Sequence, residues 1–290
     1  MPERSVSQII GPRPTRGFLG EGHVAIPLLE GRGLEQTDPF ILLMDDQLDL
    51  PGQVIVGGPH PHAGFEIITI VLEGQAGEGS RASSAGDLEW LTAGSGIVHT
   101  EEIKSRVKLR ILQLWLQLPN GKIWMEPQWQ KLSLQNVPVI KQGRSAVRVY
   151  SGTALGLTSP VINQVPTIIL HVELAPHDEM PIEIPASYNG LIYMLEGSIN
   201  AGRDRMTIAH SQVAWLDPVT GSADSKLVVS GGGSGGRFVL YAAEPQNAVI
   251  YSKGPFISDG PDDFQHLYHR YNTDKMLPLK DLPESRKFQR

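Results

Sequence analysis

The sequence contains no cysteine. Disulfides, thiolate metal sites and cysteine nucleophiles are thereby excluded, and the redox compartment is left open. Long apolar runs are also missing: stretches such as Phe40–Met44 fall far short of the roughly 20 residues that span a bilayer. The opening MPERSVSQIIGPRPTRG carries arginines but no apolar core of a secretory signal. A soluble, cytoplasmic protein without membrane attachment is the expectation. Cationic runs are equally scarce. With Lys+Arg 25 against Asp+Glu 31 the formal net charge is −6, and no basic stretch is long enough to follow a phosphate backbone. Direct nucleic-acid binding is disfavoured.

What is present is turn-forming and strand-forming sequence. Gly 31 and Pro 22 in 290 residues favour short strands over long helices, and 40% hydrophobic residues suffice for a core. The length corresponds to roughly two domains. Short strands are expected over HVAIPLL (23–29), DPFILLMDD (38–46) and IITIVLEG (67–74). In KLRILQLWLQLP (108–119), Leu112, Leu114 and Leu116 fall on one face. Ile111, Gln113, Trp115 and Gln117 fall on the other, where the glutamines are candidates to line a substrate cavity. SGGGSGG (230–236) reads as a flexible hairpin tip, SDGPDDFQHLYHRYN (258–272) as the clearest helix, and 273–290 as a surface tail.

An internal repeat divides the chain. IITIVLEG (67–74) is echoed by GLIYMLEGS (190–198), and GDLEWLTAG (86–94) by HSQVAWLDPVTG (210–221), so that Glu73 aligns with Glu196 and Trp90 with Trp215. Two tandem β units, 1–135 and 136–290, are the economical reading.

The chemistry concentrates in the first unit, between Gly57 and Glu102. In GGPHPHAGFE, His60 and His62 share a face, and in GSGIVHTEE so do His99 and Glu101. If the two segments are neighbouring strands, three imidazoles and a carboxylate converge, which is a first-row metal set with room for water or substrate. Glu66 is expected on the same face as His60 and His62, as an alternative ligand or an acceptor that orients a histidine. Carried across the repeat, the ligand positions fall on Glu183, Pro185, Asp224 and Lys226, so the second unit is expected to hold no metal and to be structural.

HPHAGFE, TAGSGIVHTE and LQLWLQLP in this order resemble the pirin family of the cupin superfamily, over about residues 20–270. The resemblance implies an all-β bicupin: two tandem cupin β-barrels with a short C-terminal helix, and a metal only in the N-terminal barrel. It assigns His60, His62, His99 and Glu101 as ligands. Iron(II) is the usual metal, with Ni, Mn, Co, Cu and Zn as other divalent candidates. The implied activity is quercetin 2,3-dioxygenase-type cleavage of a flavonol-like aromatic substrate with O2, with Glu101 also as general base. The alternative is an iron-dependent redox sensor that binds a transcription regulator or other protein partner without turnover. Two departures are visible. Ala63 stands where most of the family has arginine, and the polar loop 75–85 is shorter than usual, so both are expected to open the barrel mouth around the substrate.

Overall fold

A computed structural model of the chain describes residues 1–51, 58–77, 82–100 and 106–290. Strands dominate it; among the described residues the α-helices are Leu34–Thr37 and Asp263–Asn272. None of its helices is long and apolar enough to cross a membrane. The strands form two compact barrel units, so the all-β, two-barrel expectation holds.

The first barrel is organised by the strand Val107–Gln117. Leu112, Leu114 and Leu116 are buried on one face, while Ile111, Gln113 and Trp115 are half-buried on the other. The strand lies between Phe40–Leu50 and Phe65–Glu73 in an eight-stranded sheet, antiparallel to both. Register places Trp115 opposite Ile67, and Gln113 opposite Thr69 and Met44. A second, three-stranded sheet of His60–His62, Ile97–His99 and Leu277–Pro278 covers this face. Phe65, Ile67, Leu91, Ile97 and Trp129 fill the space between the sheets at one end.

The second barrel is a nine-stranded sheet whose longest strand is Asp224–Ala243. Its interior is a continuous aliphatic cluster that includes Met180, Ile182, Ile184, Leu227, Val229, Phe238 and Leu240.

The chain ends depart from a contiguous division at 135/136. Met1–Pro12 belong with Asn136–Pro245, and Gln246–Arg290 belong with Arg13–Gln135. The reason is long-range pairing. Val6–Ile10 pairs with Val213–Leu216, and the Arg4 guanidinium is wholly buried, donating to Ser225 Oγ and to the carbonyls of Pro185, Ala186, Tyr188 and Asp217. Burial without a carboxylate in direct contact lowers the Arg4 pKa to about 10, against an opposing pull from Asp217. At the other end, Lys287–Gln289 runs parallel to Gln128–Leu132. The tail lies on the surface as expected, anchored there by the buried side chains of Met276, Leu279 and Leu282.

Two further expectations are corrected. The helix begins at Asp263, after the Gly260-Pro261 turn, so it is shorter than 258–272. SGGGSGG is no hairpin tip: it lies inside Asp224–Ala243, where that strand passes from pairing with Glu179–Pro185 to pairing with Thr167–Leu174. At this corner a Cβ on Gly231 would lie 2.2 Å from the Ala175 carbonyl oxygen. The glycines permit close backbone approach at a bend.

Candidate metal centre

His60–His62 and Ile97–His99 are antiparallel neighbours, with His99 opposite His60 and Ile97 opposite His62. Directly opposed residues share a face, so the three imidazoles point together into the barrel. Their ligand nitrogens lie within 4.8 Å of one another. His62 Nε2 is 3.1 Å from His99 Nε2, which is 2.8 Å from His60 Nε2.

The electrostatics favour neutral rings. Burial, reinforced by the neighbouring His60, lowers the His62 pKa to about 3; the Pro255 carbonyl pulls the other way. Burial and the two other imidazoles hold His99 well below the usual histidine range. With its Nδ1 proton on the Gly58 carbonyl, His60 turns an Nε2 lone pair toward the other two rings. Three neutral imidazole nitrogens gathered within 4.8 Å of one another are a donor set that fits a divalent first-row cation. His60 is oriented as metal-binding histidines are, its Nδ1 paired with the Gly58 carbonyl at 2.9 Å. His62 differs: its Nδ1 makes no hydrogen bond of regular geometry. Its ring is held edge-on between Phe65 and Trp115, at centroid distances of 5.4 and 5.3 Å.

Glu101 lies outside the described residues, as does the tip of the 75–85 loop, of which Gln75–Ala76 and Ser83–Ser84 form a short hairpin. Glu66 does not join the histidine cluster. It is wholly buried, with Oε1 accepting from Trp90 Nε1 at 2.8 Å and Thr92 Oγ1 at 2.7 Å. Face alternation holds only within a continuous strand. Here Gly64, at φ +87°, turns the chain from the small sheet into the large one. Phe65 thereby faces His62, and Glu66 faces away. Among the described residues no carboxylate joins the histidine cluster.

The substrate-wall candidates separate. Gln113 shares the half-buried face of Trp115, and its Oε1 accepts from Trp115 Nε1 at 3.2 Å. Gln117 lies beyond Trp115, opposite Phe65, with a buried Nε2 that lacks a partner. Ala63 is not at the mouth. It is wholly buried and packed with Phe256, Phe264, Leu267 and Met276, because Ala63 follows His62 and so points to the opposite side of the hairpin. An arginine there would enter this cluster. Trp115 is the residue that reading for polar groups missed; its two-residue spacing from Gln113 on the half-buried face was the available signal.

Comparison with known proteins bears on the whole chain. The family model described as Pirin matches residues 25–116, and that described as Pirin C-terminal cupin domain matches residues 169–277. The chain is 33% identical over 272 residues to "Pirin-like protein 2" of Arabidopsis thaliana, covering 88% of this chain and 81% of that protein. It is 34% identical over 237 residues to "Pirin" of Homo sapiens, covering 77% and 78%. A solved structure titled quercetin 2,3-dioxygenase from Acinetobacter baumannii superposes with a TM-score of 0.79 at 22% identity, covering 94% of this chain and 98% of that one. At that identity the likeness is one of fold.

Proposed function

Because the chain belongs to the pirin family, we propose that it is a metal-dependent dioxygenase that opens the ring of flavonol-like aromatic compounds with O2. The observation that carries this reading is the meeting of three imidazole nitrogens, from His60, His62 and His99, beside an aromatic wall. His60, His62, His99 and Glu101 hold the ion, which is iron(II) in this proposal, with other divalent first-row metals as substitutes. When bound, the ion would supply Lewis-acid and redox chemistry for the reaction of the substrate's oxygens with O2.

The remaining work belongs to side chains. Trp115 offers an aromatic surface next to His62 against which a flat ring system can pack. Gln113 uses its carbonyl oxygen on the Trp115 indole, which turns its amide nitrogen outward to donate to a substrate oxygen. Phe65, Ile67, Leu91 and Ile97 form an apolar floor that excludes water from that side of the site. Glu101 accepts the substrate hydroxyl proton on a carboxylate oxygen. Support for the ring-opening activity comes from the shared fold of the Acinetobacter quercetin 2,3-dioxygenase.

The test is oxygen uptake on a panel of flavonols by protein loaded anaerobically with iron(II), with metal content measured on the same sample. The expected result is uptake matched by loss of flavonol absorbance. Absence of uptake on every flavonol at full loading would overturn the enzymatic reading.

A further inference from the structure

The strands that carry the histidines are too short to hold themselves. His60–His62 and Ile97–His99 have three residues each, and an isolated two-stranded ribbon is marginal even at greater length. Their support comes from the far end of the chain. Ile97 and Val98 pair in parallel with Leu277 and Pro278. On the other edge, Ala63 forms a bridge with Phe256, and Ile257 N–H donates to the Ala63 carbonyl at 2.9 Å. The approach is so close that a Cβ on Gly64 would lie 1.9 Å from the Ile257 carbonyl oxygen. Behind this contact, Ala63, Phe256, Phe264, Leu267 and Met276 form one buried cluster, in which Phe264 and Leu267 are the inner face of the C-terminal helix. Residues 256–278 thus bracket the His60–His62 and Ile97–His99 pair along both of its edges.

We propose that residues 254–278 position the metal-binding histidines, with Phe256 and Leu267 as positioning residues, so that metal binding and docking of the C-terminal helix are one coupled equilibrium. The proposal rests on the reading of the histidine cluster as a metal site. His62 is the point of greatest leverage. Its orientation depends on the backbone of its strand and on packing against Phe65 and Trp115, and that strand leans on this segment. Coupling of this kind is reciprocal: an ion that prefers the docked arrangement must strengthen docking by the same factor by which docking strengthens its binding. The outer face of the helix, with Gln265, His266 and His269 exposed, would then sense whether the site is loaded.

The experiment uses the full chain with cobalt(II) as the probe. Backbone hydrogen exchange in residues 254–278 is compared with and without cobalt, with the Ser145–Ser151 strand as internal reference. Protection of 254–278 is expected to rise at least tenfold on loading while the reference stays unchanged. In parallel, chelator competition on Leu267→Ala is expected to show at least a tenfold loss of cobalt affinity and an altered visible spectrum, with Leu267→Met restoring both. Exchange in 254–278 that ignores cobalt in the wild type would overturn the proposal, whether or not Leu267→Ala folds. Cobalt affinity within twofold of wild type in a folded Leu267→Ala would overturn it as well. A wild-type chain that takes up no cobalt would instead remove the metal site itself, and this proposal with it.

Discussion

The two barrels descend through the same pattern of strands and differ in what fills them. In the first, the short strand pair His60–His62 and Ile97–His99 presents three imidazoles to the interior. In the second, Glu179–Pro185 pairs with the start of Asp224–Ala243, and the interior receives Met180, Ile182, Ile184, Leu227 and Val229. The residues expected to stand at the ligand positions are not interior at all: Glu183 and Asp224 are exposed, and Glu183 pairs with Lys226. What replaced the ligands is aliphatic bulk, so the second barrel is solid where the first is furnished with polar groups. A barrel can be a core or a site, and a change of parity at a few positions separates the two.

The strongest way to break this contrast is to move histidines between the barrels. His99→Ala should abolish tight metal binding, because two imidazoles remain, and elemental analysis should fall from about one equivalent to near zero. Ile182→His with Leu227→His should create no second site. Burying two imidazoles among aliphatic neighbours should instead cost about 2–6 kcal/mol in urea unfolding. Tight binding of two equivalents by the unaltered protein would refute the contrast outright.

A finer contrast lies between the two glutamates of the first barrel. Glu101→Gln should reduce metal retention by tenfold or more if Glu101 is the fourth ligand. Glu66→Gln should leave metal content unchanged, since the amide oxygen can still accept from Trp90 and Thr92. Metal analysis after a chelating wash reads both. Loss of metal in Glu66→Gln alone would invert the assignment.

The second barrel has a half-buried histidine, His171, and it offers a test by pH. Burial lowers its pKa to about 4, with Arg148 and Arg237 acting in the same direction and Glu173 and Glu196 against it. The unfolded chain, with a histidine pKa near 6.5, binds more protons than the folded one between about pH 6.5 and 4. The stability associated with neutral His171 is therefore complete above that window and is lost as pH falls through it, by roughly 1–3 kcal/mol. His171→Gln should flatten this part of the acid limb in urea unfolding at several pH values. An unchanged slope would place the acid sensitivity elsewhere.

The smallest expected effect separates Gln113 from Gln117. Gln113→Leu should reduce flavonol turnover a few-fold at matched iron loading. Gln117→Leu should leave turnover unaltered and be neutral or slightly stabilising, because it removes a buried amide nitrogen without a partner. Equal effects of the two on initial rates would show that the Trp115 face does not line the substrate path.

Strand alternation and the HxH spacing were legible because each depends on residues two apart in one continuous strand, where side-chain direction is a local property. That is why the leucine face of Val107–Gln117 and the convergence of His60, His62 and His99 could be read from residues alone. Glu66, Ala63 and the ligand-equivalent positions of the second barrel could not be. Each depends on how many residues a turn takes between strands, and one residue more or less reverses the face. The Gly64 turn does this to Glu66. The exchange of chain ends was further out of reach. Arg4 finds five acceptors across the fold, and residues 254–278 brace histidines that precede them by most of the chain. Such contacts are selected by the packed surface that only the folded chain creates, so the tertiary structure alone decided which residues surround the site.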